Sequence, residues 1–354
     1  MTIHELLRFT AEAGASDLHI AAGAHPMVRV NGKMKRLNLP ILSVEEVENL
    51  VFGVMNEVQQ TMFKENLEID FSTKLNNSND VRFRVNAFHQ INGISAAFRV
   101  IPNEIKSYEE LHLPDILKRL TQKEKGLILV TGPTGSGKST TLATMIDSIN
   151  DNRSCHIITI EDPIEFVHRS KNSLINQREL GHDTWSFTAA LRSALREDPD
   201  VILVGEMRDL ETVSLALTAA ETGHLVFATL HTGSCTKSID RIIDMFPKEQ
   251  QQQVRSMLSE SLEAVLSQTL LPTKDGKGRV PALEIMVANA AVRNLIREEK
   301  TYQIPSIIQA STKEGMQTRD QSLYNLVMNN LVERTIAEEF ADNPKQFASG
   351  AGFS

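Results

Sequence analysis

The sequence of 354 residues predicts an α/β protein of two domains. Three observations along the chain support this prediction. Residues 126–130 form a short apolar run that leads into a glycine-rich loop, and residues 140–149 follow with the apolar spacing of a helix. Two more apolar runs, residues 157–160 and 201–204, end in acidic residues, as buried parallel strands do at a ligand-binding edge. Residues 81–100 instead alternate between apolar and polar side chains, which predicts antiparallel strands.

The domain boundary is expected near residue 100. Residues 1–100 contain helical stripes and alternating strands, which together predict a smaller α+β domain. The apolar pattern lapses over residues 101–112, and Pro102 restricts its neighbours, so this stretch is expected to be a linker. Residues 113–354 then form the larger domain, which carries the glycine-rich loop.

Composition excludes several classes of protein. The formal net charge of −8 argues against duplex binding by phosphate neutralisation, so no nucleic-acid partner is expected. Cys155 and Cys235 are too few and too far apart for a four-ligand zinc site or a disulfide framework. No stretch approaches the roughly 18 apolar residues that span a bilayer. The chain is therefore expected to be cytosolic, or to reach a membrane only through partners.

The glycine-rich loop matches the phosphate-binding pattern G-x-x-x-x-G-K-[ST] at every defined position. Its backbone N–H groups are expected to surround a phosphate, with Lys138 bridging the outer phosphates and the Ser139 hydroxyl binding Mg²⁺. The residues expected to contact the nucleotide are Gly132, Pro133, Thr134, Gly135, Ser136, Gly137, Lys138, Ser139 and Thr140. The motif therefore predicts a nucleoside triphosphate with Mg²⁺ as ligand.

Carboxylates follow two of the apolar runs, and hydrolysis needs carboxylates that hold Mg²⁺ and orient water. Residues 161–165 read Glu-Asp-Pro-Ile-Glu directly after one run, and Gly205-Glu206 ends the other. The glycine is expected to allow close approach to the nucleotide. Acidic residues after buried strands also cap helices, which is the alternative interpretation of either group alone.

Two histidines bracket a third apolar run. His224 precedes residues 225–230 and His231 follows them. A separation of seven residues gives the two side chains opposite strand parity, so a shared metal site is not expected. Each is interpreted either as a hydrogen-bonded structural residue or as a catalyst.

Arginines lie on the polar face of the alternating segment 81–100. A two-residue turn at residues 92–93 places Arg99 opposite Asn86, with Arg84 as its diagonal neighbour. Cations set this close repel one another unless an anion or a carboxylate lies between them. We interpret them as a clamp for the phosphate of another subunit; a solvated basic face is the alternative.

Four stretches now resemble a known family. Residues 132–139, 159–166, 203–209 and 224–232 are similar, in this order, to the Walker A, Asp box, Walker B and His box of the secretion-type hexameric ATPases, and within them of the type IV pilus retraction ATPases. The resemblance spans nearly the whole chain. It implies a RecA-like P-loop NTPase domain preceded by a smaller PAS-like α+β N-terminal domain.

The resemblance also implies roles for site residues. Glu165 is expected to polarise the attacking water, and Glu206 to support Mg²⁺ or the water, with Ser139 as the direct metal ligand. The histidines are expected to sense the γ-phosphate of ATP, and the arginines to act as fingers from the N-terminal domain. The implied catalytic residues are Glu165, Glu206, His224, His231, Arg84 and Arg99.

The C-terminal residues 291–298 decide the subfamily. They resemble the retraction ATPases' motif A-I-R-N-L-I-R-E, with Val292 in place of isoleucine. An ordinary amphipathic helix with Val292, Leu295 and Ile296 facing inward gives the same spacing. Assembly and secretion ATPases of the superfamily often carry a tetracysteine zinc module, for which this chain has too few cysteines.

The resemblance therefore implies a homohexamer that hydrolyses ATP to power pilus retraction and twitching motility. It would work in the cytoplasm, peripherally at the inner-membrane base of the pilus machine, on a platform protein, and an accessory retraction ATPase is a further candidate partner. The alternatives are that accessory ATPase itself, a pilus-assembly or type II secretion ATPase, a nucleic-acid translocase, or a module that binds ATP without turnover.

Overall fold

The computed structural model describes residues 2–30, 32–75, 81–101 and 104–349. The chain divides into two compact units. One takes Met1–Glu104 together with Pro163–Val167, and the other takes Ile105–Asp162 together with His168–Ser354. The division at residue 104 falls within the stretch expected to be a linker, of which Pro102 and Asn103 lie outside the described residues.

The N-terminal unit is built on a six-stranded antiparallel sheet in the order β3-β2-β1-β6-β5-β4. Its strands are β1 Asp17–Ala21, β2 Met27–Val30, β3 Lys33–Arg36, β4 Glu68–Lys74, β5 Arg82–Gln90 and β6 Gly93–Ile101. Its helices are α1 Ile3–Glu12, α2 Val44–Phe52 and α3 Glu57–Asn66. Each of these helices begins at a capping box, at Thr2, Ser43 and Asn56 respectively, which satisfies the first N–H groups of the helix.

Alternation along the strands gives this sheet two different faces. Leu18, Val85 and Phe98 are fully buried on one face, where the apolar sides of the three helices pack. The opposite face carries charged side chains. The predicted α+β character and the predicted strands over residues 81–100 therefore agree with the structure.

The register of the β5–β6 hairpin differs from the prediction. The turn residues are Ile91 and Asn92, Gln90 pairs with Gly93, and Arg84 lies directly opposite Arg99 rather than on the diagonal. Shifting one strand by two residues keeps every side chain on its face, so the apolar pattern could not distinguish the two registers.

The second unit contains a seven-stranded sheet in the order β13-β12-β7-β11-β10-β8-β9. Its strands are β7 Gly126–Thr131, β8 His156–Glu161, β9 Leu174–Glu179, β10 Val201–Val204, β11 Leu225–Leu230, β12 Leu262–Pro272 and β13 Arg279–Val287. Neighbouring strands are parallel except at the β12–β13 pair. Strands β7, β10 and β11 are buried along their whole length, which explains their continuous apolar runs.

Helices cover both faces of this sheet. They are α4 Ile116–Leu120, α5 Lys138–Asn152, α6 Phe187–Ala194, α7 Leu210–Glu221, α8 Cys235–Asp244, α9 Lys248–Ser261, α10 Ala290–Arg297, α11 Ile304–Ala310, α12 Arg319–Met328, α13 Arg334–Phe340 and α14 Pro344–Ser349, with short 3₁₀ turns at Thr301–Gln303 and Thr312–Glu314. Helices α4 and α5 pack on one face, and α6 to α9 pack on the other. This arrangement is the RecA-like core that the resemblance implied.

The C-terminal helices begin at the edge strand β13. Gln317 exchanges two backbone hydrogen bonds with Ile285, and the Ser322 hydroxyl accepts the N–H of Leu283. The edge of the sheet is therefore partly closed by the chain itself. In helix α10, which contains most of the A-I-R-N-L-I-R-E-like motif, Val292 and Ile296 are fully buried, as an amphipathic helix requires.

Three further observations complete the fold. Trp185, the single tryptophan, lies between β9 and α6 with 73% of its surface exposed. Cys155 and Cys235 are both free. Within the described residues, no helix is long and apolar enough to cross a bilayer.

Candidate active site

The glycine-rich loop connects β7 to α5, in the order of elements that the sequence predicted. Gly137 precedes α5 with φ = +87°, and no side chain caps the first turn of the helix. Those backbone N–H groups consequently remain available to an anion, and the helix dipole favours negative charge there. Ser139 and Thr140 lie half-buried in the first turn.

Gln268 of β12 holds the loop in shape. Its Nε2 donates to the Ser136 carbonyl oxygen at 2.7 Å, and its Oε1 accepts from the Thr141 hydroxyl at 2.8 Å. A Cβ at Gly132, where φ is +142°, would lie 2.2 Å from the Gln268 carbonyl oxygen. Sequence reasoning missed Gln268, because it lies between Ser267 and Thr269 in β12 and its partners are distant in sequence.

Two side chains in the loop fit a phosphate ligand. The Lys138 ammonium donates to the carbonyl oxygens of Gly132 at 2.9 Å and Pro133 at 3.1 Å, so it lies over the loop. The Ser136 Oγ is buried and has no hydrogen-bond partner within the described residues. A buried polar atom without a partner is destabilising, and a phosphate oxygen would satisfy it.

The carboxyl ends of four parallel strands, β7, β8, β10 and β11, meet at one side of the sheet, which we call its nucleotide edge. Because Val204 pairs with Ile160 on β8 and with Ala228 on β11, the strands end side by side. Glu206, which follows β10 after Gly205, therefore lies beside His231, which directly follows β11. The His231 Nε2 is 3.0 Å from the Glu206 Oε1.

Arg208 joins the two acidic motifs. Its Nη2 lies 2.7 Å from the Glu206 Oε2, and its Nη1 lies 3.7 Å from the Asp162 Oδ2. Burial alone would raise the pKa of Glu206, but hydrogen bonding and attraction from Arg208 and His231 outweigh it and lower that pKa. The Glu206 carboxylate is therefore ionised at neutral pH. Sequence reasoning did not assign Arg208 to the site.

Gly205 permits close packing of two strands. Its N–H donates to the Ile160 carbonyl oxygen at 2.7 Å. A Cβ at this position would lie 3.0 Å from that oxygen and 3.1 Å from the Glu161 Cα. Gly205 therefore allows close approach to strand β8, and its close approach to the nucleotide stays a prediction.

His224 is not part of this cluster within the subunit, and its role in sensing the γ-phosphate stays a prediction. It precedes β11, and its carbonyl oxygen accepts the N–H of Gly126 at the start of β7. Its Nδ1 is 3.0 Å from the Ala219 carbonyl oxygen. The six-residue strand that separates it from His231 spans about 20 Å, so His224 lies at the opposite edge of the sheet.

Glu165 is exposed and lies in Pro163–Val167, the segment that groups with the N-terminal unit. The chain that follows is fixed to α5 by Asn150, which is fully buried. The Asn150 Nδ2 donates to the Arg169 carbonyl oxygen at 2.8 Å, and its Oδ1 accepts the N–H of Lys171 at 2.9 Å. Sequence reasoning missed Asn150, because a contact across this distance in the chain leaves no local pattern.

The arginines of the N-terminal unit belong to a charged row across its sheet. Arg29, Asp17, Arg99 and Arg84 are cross-strand neighbours on β2, β1, β6 and β5. Arg99 contacts Asp17 through Nε at 2.9 Å, and its side chain remains 72% exposed. Arg84 instead pairs with Asp70 through both Nε and Nη2, at 2.6 Å for the shorter contact.

Asp17 is the centre of this row. Its side chain is only 8% exposed. Burial would raise its pKa, but hydrogen bonds from Ser16 and Arg99 outweigh burial and lower the pKa. Asp17 therefore carries its charge between Arg29 and Arg99. Arg84 and Arg99 are direct cross-strand neighbours, and each has a carboxylate of its own, Asp70 and Asp17 respectively.

Comparison with known proteins places this geometry in a family. Residues 1–341 match the family described as Type II/IV secretion system protein. The chain is 56% identical over 347 residues to the type IV pilus retraction ATPase PilT of Pseudomonas aeruginosa, covering 98% of this chain and all of that protein. Identity to the type IV pilus ATPase PilU of the same organism is 43%, with 97% of this chain and 89% of PilU covered.

Solved structures agree. A crystal structure of the pilus retraction motor PilT with bound ADP superposes with a TM-score of 0.90 at 51% identity, covering 98% of each chain. The Walker A loop, the Walker B strand and the N-terminal sheet described above therefore follow an architecture already observed with a nucleotide. The resemblance to the retraction ATPases is confirmed, and the chain belongs to the Type II/IV secretion system protein family.

Proposed function

We propose that this chain is the ATPase motor that retracts type IV pili, and that it works as a homohexameric ring. The observation that carries the proposal is the edge of the seven-stranded sheet, where the phosphate-binding loop, Glu206, Arg208 and His231 come together. Identity to PilT exceeds identity to PilU, which favours the main retraction motor over the accessory one.

ATP is held by the loop and the first turn of α5. The backbone N–H groups around Gly135 and Gly137 bind the β-phosphate, and the Lys138 ammonium leaves the loop carbonyls to bridge the outer phosphates. The Ser139 hydroxyl and, through water, the Glu206 carboxylate would hold Mg²⁺. When bound, Mg²⁺ neutralises the charge that develops on the phosphate oxygens.

Hydrolysis needs a group that orients water and a group that reports the loss of phosphate. Glu165 takes the first role as the carboxylate that polarises the attacking water. His231 takes the second, because its contact with Glu206 changes when the γ-phosphate leaves. His224 lies at the opposite edge of the sheet in the same subunit.

Arg99 and Arg84 complete the site from a neighbouring subunit. Their guanidinium groups stabilise the charge on the γ-phosphate, and that contact exists only while the γ-phosphate is present. Each hydrolysis therefore removes an attraction between subunits and lets the ring reopen locally as a rigid-body rotation. Sequential closure around the ring drives a platform protein in the inner membrane from the cytoplasmic side, at the base of the pilus.

The test is deletion of the gene in its own organism, followed by counting surface pili and measuring twitching. Retraction predicts excess pili without motility, restored by the wild-type gene and not by a Glu165→Gln variant. Cells without pili would indicate an extension motor, and normal piliation would indicate the accessory ATPase or another secretion system. If DNA stimulated the ATPase activity of the purified enzyme, the result would favour a nucleic-acid translocase instead.

A further inference from the structure

The segment from His231 to Ser234 connects β11 to α8 and carries the histidine that contacts Glu206. The next residue, Thr232, is anchored towards the nucleotide loop. Its Oγ1 lies 2.6 Å from the Ser238 Oγ, which donates to the Ser234 carbonyl oxygen at 2.7 Å and lies 3.3 Å from the Thr131 Oγ1. Thr131 is the last residue of β7, immediately before the phosphate-binding loop. We call residues 231–234 the sensor segment.

Two charged residues from the C-terminal part of the chain bind the other end of the sensor segment. Arg319, the first residue of α12, donates through Nη2 to the Gly233 carbonyl oxygen and through Nη1 to the Asp342 Oδ1, the latter at 2.9 Å. Glu284 of β13 accepts the N–H of Cys235 on its Oε2 at 2.8 Å. Backbone groups on both sides of Ser234 are therefore held by side chains that are distant in sequence.

Glu284 occupies an environment that disfavours its charge, and Arg319 is largely buried. Glu284 is only 8% exposed, and burial raises the pKa of its carboxyl group, although attraction to Arg319 acts in the opposite direction. The Arg319 side chain is 17% exposed. Buried charges are seldom the most stabilising choice, since apolar residues of similar volume often serve stability equally well. Their directional contacts with the backbone of the sensor segment are what apolar residues could not supply.

We infer that Arg319 and Glu284 are positioning residues that hold His231 against Glu206, and that they mechanically connect the nucleotide site to the C-terminal helices. A displacement of the sensor segment after phosphate loss moves the carbonyl oxygen that Arg319 binds, and Arg319 passes the displacement to α12 and to Asp342. This inference rests on the proposed role of His231 in sensing the γ-phosphate.

The opposing explanation is that both residues only brace the N-terminus of α8. Glu284 lies where a carboxylate stabilises a helix, and bracing alone would lower thermal stability in variants without any specific link to His231. The two explanations therefore differ in how a change at Arg319 or Glu284 combines with a change at His231.

The test is a double-mutant cycle on the full-length enzyme. The variants are Arg319→Lys, which keeps the charge but cannot bind Gly233 and Asp342 with one planar fork, His231→Ala, and their combination. We expect Arg319→Lys to lower kcat about 10-fold with KM for ATP within about 2-fold, since small misplacements of site groups reduce turnover strongly. In the His231→Ala background it should have no further effect on kcat.

A second pair covers the case in which Arg319→Lys does not fold. Glu284→Gln keeps an oxygen acceptor for the Cys235 N–H and should retain most of the turnover, whereas Glu284→Leu removes the acceptor at similar volume and should lower kcat as Arg319→Lys does. Arg334→Lys is the matched control, since Arg334 pairs with Glu338 within α13 and should leave kcat unchanged. Thermal unfolding midpoints are measured for every variant.

Three results would overturn the inference. Unchanged kcat in Arg319→Lys and Glu284→Leu, with lowered midpoints alone, would mean simple bracing. Effects of Arg319→Lys and His231→Ala that multiply independently would mean that Arg319 does not act through His231. If His231→Ala itself leaves kcat unchanged, the sensing role in the proposed function fails together with the inference, so the two failures are told apart by that single variant.

Discussion

The charged face of the N-terminal sheet and the nucleotide edge of the seven-stranded sheet differ in whether their polar groups already have partners. On the N-terminal face, Arg84 and Arg99 each contact a carboxylate of the same sheet, Asp70 and Asp17. At the nucleotide edge, the first turn of α5 lacks a side-chain cap, and the buried Ser136 hydroxyl lacks a partner within the described residues. These two arginines of the N-terminal face are therefore paired with carboxylates, whereas the nucleotide edge has hydrogen-bond donors that can bind an anion.

This difference suggests an order of events. The loop is preorganised, so it binds the nucleotide phosphates without rearranging other charges. Arg84 pairs with Asp70 through two nitrogens, so a phosphate must compete with that aspartate for its guanidinium group, whereas the exposed Arg99 contacts Asp17 through Nε. In the proposed ring, nucleotide binding at the loop therefore precedes engagement by Arg84 of the neighbouring subunit.

The largest effect is expected for Lys138→Ala, which tests the preorganised loop. Lys138 is the cation of the preorganised loop, and its removal should lower kcat/KM for ATP by more than about 1,000-fold, because it acts on both the ground state and the transition state. Steady-state ATPase assays and binding of a fluorescent nucleotide measure this. A variant that still binds nucleotide with normal affinity would show that the loop backbone alone holds the phosphates.

The next effect separates the two arginines. Arg99→Ala should lower kcat about 100-fold at concentrations where the protein is assembled, since Arg99 is exposed and its contact uses only Nε within the described residues. Arg84→Ala should lower it about 10-fold, because Arg84 is held by Asp70 through two nitrogens. Equal effects would contradict the distinction.

Both arginine variants should fold as the wild-type chain does, which circular dichroism checks. Lys74→Ala, on the neighbouring strand β4, is the control for a general loss of positive charge and should change kcat less than either variant. Loss of soluble protein on replacement of Arg99 would instead identify the pair with Asp17 as structural.

A smaller effect tests whether the loop is held in shape before the nucleotide arrives. Gln268→Leu removes the amide that contacts Ser136 and Thr141. It should raise KM for ATP about 5-fold and lower the free energy of unfolding by about 1 to 3 kcal/mol, since two buried polar groups lose their partners. Unchanged KM with lowered stability would mean that the loop reaches its shape without Gln268.

The smallest expected effect concerns the two ends of β11. His224→Ala should leave kcat within about 2-fold of wild type, because about 20 Å of strand separates this residue from the nucleotide edge. His231→Ala should lower kcat by more than His224→Ala does in the same assay. A severe loss in assembled His224→Ala would show that His224 serves a different subunit interface.

The sequence predicted the nucleotide edge more completely than the charged face, for a physical reason. Parallel strands buried on both faces end at one edge, so a residue that follows such a strand, such as Glu206 or His231, is located without knowing the register. The same rule explains why His224, which precedes its strand, lies elsewhere. Gln268 and Asn150 act through partners that are distant in sequence, and no local sequence pattern indicates their roles.

In the antiparallel sheet, the sequence predicts which side chains are buried but not how the strands pair. Alternation correctly assigns Val85 and Phe98 to the core, but it repeats every two residues, so the pairing of Arg84 with Arg99 had to come from the structure. The grouping of Pro163–Val167 with the N-terminal unit is equally invisible in chain order. Sequence reasoning therefore located the catalytic motifs but not their partners.

Trp185 gives this molecule an optical reporter that requires no labelling. It is the only tryptophan of the chain, it is largely exposed, and it follows β9 at the same edge of the sheet as Glu206 and His231. Tryptophan emission shifts towards shorter wavelengths when water around the indole is replaced by protein. If the closure of the proposed ring covers this side of the sheet, stopped-flow fluorescence of the unmodified enzyme would follow it in real time.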